Sequence, residues 1–272
     1  MPLLHIVILA LVQGITEFLP ISSSGHLVLA HHFFGAQADD LTLDIAVHVG
    51  TLFAVLLYFR RDICRMLCGL KTLCRKDGSS EGKKLLFALI IGSLPVIAAG
   101  FLIYLTGPEW TRSLYLTAWC TLIFGIVLGL ADKYKPTDRT LDRLTIKDAF
   151  LIGLAQTLSL IPGVSRSGIT MTAGRALGFN RSDCARFSLL LAVVAISGAG
   201  TLGGIDLWQE NDLALTYHAL IAAILSFATA LAAIFLMMKW LEHASFMPFV
   251  IYRIVLGLLL LGLLYGGVIT TT

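Results

Sequence analysis

Six long apolar segments separated by polar loops constrain this fold more than any other feature. They cover 43–59, 85–106, 114–131, 183–204, 217–238 and 248–268. Each approaches the roughly 20 helical residues that a bilayer core requires. Only 14% of the residues are charged and the net charge is +3, whereas soluble domains average about 25% charged residues. The sequence therefore predicts an all-α polytopic membrane protein and excludes a disordered chain or a nucleic-acid-binding protein.

Two further apolar stretches, 3–34 and 149–178, are interrupted by polar residues. The interruptions contain Pro20 followed by Ser-Ser-Ser-Gly, and Pro162 followed by Ser-Arg-Ser-Gly. Proline removes a backbone donor, and exposed backbone at membrane depth is tolerated only against protein or a wet cavity. We therefore expect two re-entrant helical hairpins in addition to the six transmembrane helices.

The two interrupted stretches align at a constant offset of 143 residues. The matched pairs are Gln13 and Gln156, Ser22 and Ser165, Ser24 and Ser167, Gly25 and Gly168, Gly35 and Gly178, and Asp40 and Asp183. We expect one membrane domain, 1–272, with repeat halves 1–131 and 132–272. Each half is a hairpin plus three spans. Because three is an odd number of crossings, the second half is inverted in the membrane. Inverted repeats place a site near the bilayer midplane.

Basic residues indicate the orientation of the chain. The loop 60–84 carries eight and the loop 132–148 carries five, whereas the loops on the other side contain only Arg112. The positive-inside rule places the basic loops in the cytoplasm. We expect both termini outside, the first hairpin entering from outside and the second from the cytoplasm. No Lys or Arg precedes residue 43, so no cleavable signal peptide is expected.

The hairpins carry ionisable side chains, which are costly in a membrane and indicate function. Gln13, Glu17 and His26 lie in the first hairpin, and Arg166 lies among hydroxyl residues in the second. Arginine matches phosphate oxygens and helix N-termini favour anions, so the pattern predicts a phosphorylated ligand. Two purely structural interpretations stay open: Glu17 and Arg166 could be a structural ion pair, and the serines could be helix caps. His48 lies early in a span and could line the site, but it is assigned no role. Arg253 and Glu242 are expected to tie the last two spans together.

Two motifs carry a family resemblance. QGITEFLPISSSGH at 13–26 and PGVSRSGIT at 162–170 resemble the signature motifs of the undecaprenyl-pyrophosphate phosphatase family, also called bacitracin-resistance proteins. The similarity in order, spacing and hydropathy covers nearly the whole chain. The unrelated acid-phosphatase-like lipid phosphatases also use an SGH triplet, but they need a histidine downstream of their arginine. Here none follows Arg166 before His218.

The resemblance implies removal of the terminal phosphate from undecaprenyl (C55) pyrophosphate, which recycles the lipid carrier for cell-wall synthesis and confers bacitracin resistance. It implies Mg²⁺ or Ca²⁺ as cofactor and the bacterial inner membrane as location. Because the first hairpin is expected to enter from outside, we expect access to the site from the periplasm. By motif position, the catalytic residues are Glu17, Ser23, His26 and Arg166, the phosphate-binding residues are Ser22, Ser24, Ser165, Ser167 and Thr170, and the cation ligands are Gln13 and Glu17. Many family members have Glu where this chain has Gln13, and an amide brings no charge.

Several alternatives stay open at this stage. The nucleophile is His26, Ser23 or water. The competing functional hypothesis is a transporter or flippase for a polyprenyl phosphate lipid, since inverted repeats with broken helices are typical of secondary transporters. Expected partners are the lipid pyrophosphate and membrane lipids, without nucleic acid, and the oligomeric state is left open with a homodimer as one option.

Overall fold

A computed structural model describes residues 3–26, 40–71, 81–108, 110, 113–134, 137–210 and 213–269. Ten α-helices are present in these ranges. They are α1 Leu3–Thr16, α2 Asp40–Tyr58, α3 Arg60–Lys71, α4 Glu81–Thr106, α5 Leu114–Tyr134, α6 Ile146–Gln156, α7 Arg166–Ala176, α8 Arg181–Glu210, α9 Leu213–Leu241 and α10 Met247–Tyr265. Residues 23–26 begin a further helical turn, and short 3-10 turns cover Leu141–Arg143 and Thr157–Leu160.

Several of these helices are long and apolar enough to cross a membrane. Within the described ranges, α4, α5, residues 216–241 of α9, and α10 meet that criterion, and the pair 43–58 and 60–70 makes a fifth candidate with a bend of 79°. Only 22% of the apolar window of α4 is buried. So much exposed apolar surface suits lipid rather than water. The prediction of an all-helical, multi-pass membrane protein is confirmed, whereas the count of six spans stays a prediction.

Both interrupted stretches are broken where the sequence predicts. Helix α1 ends at Thr16, the chain turns through 17–21, and helix begins again at 23. In the second stretch α6 and α7 are joined by a 3-10 turn and a short irregular segment, and the two helices contact each other. The expected second arm of the first hairpin, 27–34, lies outside the described residues.

The first arms of the two stretches pack in a similar way. Helix α1 contacts α9, and α6 contacts α4. The helices approach closely because a glycine lies at each contact. A Cβ on Gly14 would lie 1.9 Å from the Thr229 hydroxyl oxygen, and one on Gly153 would lie 2.0 Å from the carbonyl oxygen of Gly92. Small residues permit such approaches between membrane helices. Each first arm is therefore fixed against a long helix.

Candidate active site

The two helix breaks share an unusual backbone feature. Ser22 has φ 71° and Ser165 has φ 70°, and among the described residues they alone are non-glycine residues with positive φ. The positions are separated by the offset of the sequence repeat. In each break the serine hydroxyl lies near the hydroxyl of the serine two residues on, at 3.1 Å for Ser24 and 3.2 Å for Ser167. The breaks therefore repeat in conformation as well as in sequence.

Each break is hydrogen-bonded to the other. The backbone N–H of Gly163 donates to the Ser24 hydroxyl oxygen at 3.2 Å, and the Ser167 hydroxyl donates to the carbonyl oxygen of Leu19 at 2.9 Å. Ser24 and Ser167 are equivalent positions of the repeat. Their hydroxyls therefore join the two stretches at the point where both helices are interrupted.

Glu17 and Arg166 meet across this junction. Arg166 Nη2 donates to Glu17 Oε1, and the exposed fractions of the two side chains are 16% and 8%. Gln13 Nε2 and the Ser23 hydroxyl donate to Glu17 Oε2 at 2.6 and 3.2 Å. The structure thus brings together four of the predicted site residues, three from the first stretch and one from the second. Arg166 and Glu17 balance each other's charge in a largely buried setting.

His48 also contacts this group, although the sequence analysis gave it no role. Its Nε2 lies 3.6 Å from Glu17 Oε2 and 2.9 Å from Gln13 Nε2. Its Nδ1 lies 2.6 Å from the carbonyl oxygen of Asp44. A carbonyl can only accept, so Nδ1 carries the proton and Nε2 is free to accept from the Gln13 amide. The only sequence signal for His48 is a polar residue within an apolar segment.

His26 contacts both the first helix break and α10. Its Nδ1 lies 2.8 Å from the carbonyl oxygen of Ser22, and its Nε2 lies 2.5 Å from the Tyr252 hydroxyl oxygen. The two rings are parallel within 4°, with centroids 5.5 Å apart. The imidazole that contacts Glu17 is therefore that of His48, while His26 is oriented by the break and by α10. The sequence analysis did not identify Tyr252.

Hydrogen bonds within the protein engage the remaining predicted phosphate ligands. The Ser165 hydroxyl accepts from the Gly168 N–H at 3.1 Å and caps α7, which agrees with the cap interpretation. Thr170 is buried, and its hydroxyl donates to the carbonyl of Arg166 at 2.8 Å. The same hydroxyl lies 2.6 Å from the hydroxyl of Ser188. Direct phosphate binding by these hydroxyls stays a prediction.

Arg253 supports the second break. It is fully buried on α10 and donates to the carbonyls of Gly163 and Val164 at 3.0 and 2.9 Å, and to that of Thr121 on α5 at 3.2 Å. The expectation that Arg253 ties the last two spans together was wrong. The carbonyls of Gly163 and Val164 are exposed by the helix break and need donors because α7 does not begin until Arg166.

The predicted cation ligands, Gln13 and Glu17, are adjacent. No group of three His, Cys, Asp or Glu side chains suited to a metal occurs in the part of the chain that the structure describes. Gln13 Oε1, however, is buried without a hydrogen-bond partner. One carboxylate and one amide oxygen fit Mg²⁺ or Ca²⁺, because such ions take oxygen ligands and share them with water and substrate phosphates. The residues therefore fit an ion completed by substrate.

Comparison with known proteins shows the family of this chain. Residues 6–259 match the family model of the bacitracin resistance protein BacA. Proteins named undecaprenyl-diphosphatase are similar over nearly their whole length. That of Roseobacter denitrificans is 46% identical over 98% of this chain and 100% of its own, and that of Ruegeria sp. is 44% identical over the same shares. That of Hahella chejuensis is 46% identical over 96% of this chain and 98% of its own. The chain belongs to the BacA family of bacitracin resistance proteins.

Proposed function

We propose that this protein hydrolyses the terminal phosphate of undecaprenyl pyrophosphate, giving undecaprenyl phosphate and inorganic phosphate. The names of its relatives support this activity. The observation that carries the proposal is the Glu17–Arg166 pair, which joins two helix breaks. The product is the carrier lipid of cell-wall synthesis, so its recycling accounts for resistance to bacitracin.

Arg166 is the residue best placed to hold the phosphate. It is the first residue of α7, and the free N–H groups of a helix N-terminus also favour anions. A pyrophosphate would compete with Glu17 for the guanidinium fork, whose geometry matches phosphate oxygens. Phosphoryl transfer depends mainly on positioning and electrostatic stabilisation. Arg166 supplies both.

Glu17 and Gln13 would hold the divalent cation. A bound Mg²⁺ or Ca²⁺ supplies positive charge opposite the pyrophosphate oxygens. Glu17 also accepts the hydrogen bond of the Ser23 hydroxyl, so it restrains one candidate nucleophile. The nucleophile is His26, Ser23 or water. Rapid-quench trapping distinguishes them: an acid-labile phosphoenzyme identifies His26, an acid-stable one identifies Ser23, and its absence favours water.

The finer topology is part of the proposal. Six spans, two re-entrant hairpins and two inverted halves agree with the matching helix breaks and with the positive φ of Ser22 and Ser165. The basic loops then lie in the cytoplasm and both termini outside. In the bacterial inner membrane, the site would open to the periplasm, where wall-polymer synthesis releases the lipid pyrophosphate.

A lipid transporter is the alternative function. The observation that favours it is the reciprocal bonding of two helix breaks, an arrangement shared with transporters. Purified protein in detergent separates the two functions when phosphate release and binding of C55 pyrophosphate are measured together. We expect cation-dependent release of phosphate. Binding without release would reject the phosphatase and support the transporter.

A further inference from the structure

One atom from each of three side chains, Gln13, Glu17 and His48, forms a triangle of suitable size for a metal ion. The edges are 2.6 Å from Gln13 Nε2 to Glu17 Oε2, 2.9 Å from Gln13 Nε2 to His48 Nε2, and 3.6 Å from His48 Nε2 to Glu17 Oε2. Neighbouring ligands of an octahedral ion with bonds of about 2.1 Å lie about 3.0 Å apart. The edges bracket that value, so an ion can sit above the triangle in contact with all three corners.

One corner of the triangle is currently an amide nitrogen. Gln13 turns Nε2 toward Glu17 and His48, while Oε1 points away and is buried without a partner. A half-turn of the amide exchanges the two atoms, which are nearly equal in size. The half-turn breaks the two hydrogen bonds that a cation would replace, and it moves the amide N–H groups to the buried position that Oε1 now occupies. The third corner can therefore present oxygen.

The hydrogen bond of His48 suits the tautomer that binds metals. Its Nδ1 lies 2.6 Å from the Asp44 carbonyl oxygen, so in the neutral ring the proton is on Nδ1 and the lone pair of Nε2 is fixed in direction. A backbone carbonyl on the second ring nitrogen is a common partner of metal-binding histidines. About a third of the His48 side chain is exposed, which leaves a path for an ion.

We propose that His48 Nε2 is the third ligand of a divalent-cation site completed by Glu17 and Gln13. Imidazole favours first-row transition metals, whereas all-oxygen sites favour Mg²⁺ and Ca²⁺. The nitrogen therefore shifts the preference of this site toward Mn²⁺ over Ca²⁺. The site has one carboxylate where a pair would be expected from the family motif, and the histidine fills the missing position. Its link to catalysis rests on the proposed phosphatase function, but the binding itself does not.

Electron paramagnetic resonance of bound Mn²⁺ tests this site directly. The full chain, without a histidine tag, is titrated with Mn²⁺ in detergent, and the spin-echo modulation from a directly bound ¹⁴N is recorded. We expect a bound ion with ¹⁴N modulation in the wild type and its loss in His48→Gln. The preference for Mn²⁺ over Ca²⁺ should fall about tenfold, the order of effect expected when a metal site is weakened. His26→Gln and His243→Gln are the controls and keep the modulation.

Three results would overturn the proposal. These are a wild type that binds no Mn²⁺, modulation that persists in His48→Gln, and modulation that is lost in His26→Gln. If His48→Gln does not fold, wild type labelled with ¹⁵N-histidine replaces it, and an unchanged ¹⁴N signal then counts against His48. The Mn²⁺ measurements contain no lipid and are separate from the assay of phosphate release.

The two assays can therefore fail independently. Phosphate release with Mg²⁺ but without a nitrogen signal would reject only this inference, and a nitrogen signal without phosphate release would reject only the phosphatase.

Discussion

Gln13 is the residue whose replacement most directly tests the electrostatics of the site. It is fully buried and its amide donates to Glu17. In Gln13→Glu two carboxylates would share that space, and like charges at such distance repel strongly. We expect the variant to melt at a lower temperature than wild type in EDTA and to regain stability with Mg²⁺ or Mn²⁺. Thermal unfolding in detergent measures both.

The matched control is Gln156→Glu. Gln156 is the repeat partner of Gln13, is equally buried, and neither of its side-chain polar atoms has a hydrogen-bond partner. A carboxylate there should destabilise the protein regardless of divalent cations. Equal cation responses of the two variants would contradict a cation site at Gln13.

Tyr252 is predicted to position His26. Tyr252→Phe keeps the stacked ring and removes only the hydroxyl that lies 2.5 Å from His26 Nε2. We expect kcat to fall about tenfold with KM little changed, since a misoriented acid–base group loses part of its contribution of about 10²–10⁴. Steady-state phosphate release measures kcat and KM separately. In a His26→Ala background, Tyr252→Phe should not lower kcat further. Additive losses in kcat would show that Tyr252 acts independently.

At the residue scale the sequence identified Glu17 and Arg166 as site residues, with an ion pair between them as one open interpretation, but it did not identify all of their neighbours. Glu17 and Arg166 were identifiable because charged groups in apolar stretches are rare. His48 and Tyr252 were not, because neither belongs to the two motifs and both lie in ordinary apolar helices. His26 was identifiable from its motif, but its contact with Tyr252 on α10 was not.

At the element scale, the N-terminus of α7 separates capping from phosphate binding. Ser165 has a positive φ and caps the helix. Replacing a serine cap with Ala costs about 1 kcal/mol, and with Gly only a few tenths. Glycine also tolerates the left-handed backbone. We therefore expect Ser165→Gly to be more stable than Ser165→Ala in denaturant unfolding.

The activities of the same two variants test the predicted phosphate role. Both lack the hydroxyl, so an equal loss of kcat/KM is expected if Ser165 binds phosphate. If activity instead follows stability, with Ser165→Gly close to wild type, the hydroxyl serves only as a cap and the predicted role is wrong.

The helices themselves were largely predictable. The apolar segments match α2, α4, α5, α8, α9 and α10 within a few residues, because apolar length is a strong signal in a membrane. Helix α3 was not predicted. Its segment was treated as a basic loop, yet residues 60–71 form a helix that follows α2 after a sharp bend.

At the scale of the whole molecule, the predicted orientation is testable with native cysteines. Cys64 lies exposed on α3, in the loop whose basic residues are expected in the cytoplasm. A membrane-impermeant maleimide should label it in inverted vesicles and not in intact spheroplasts. Buried Cys120 and Cys184 should not react in either. Thr106→Cys, at the exposed end of α4, is the control, made in a chain whose Cys64, Cys68 and Cys74 are replaced with Ser, and it should show the opposite pattern.

The central claim is that Arg166, paired with Glu17 across the two helix breaks, binds the phosphate that is transferred. Phosphate release from C55 pyrophosphate should be compared for Arg166→Lys and Arg186→Lys. Both variants keep the positive charge and lose the planar guanidinium. Arg186 lies away from the breaks and donates to the Asp62 carboxylate at 2.5 and 2.9 Å. We expect Arg166→Lys to lower kcat/KM about a hundredfold or more, as the loss of one transition-state donor does, with Arg186→Lys near wild type. Equal rates for the two variants would contradict the account.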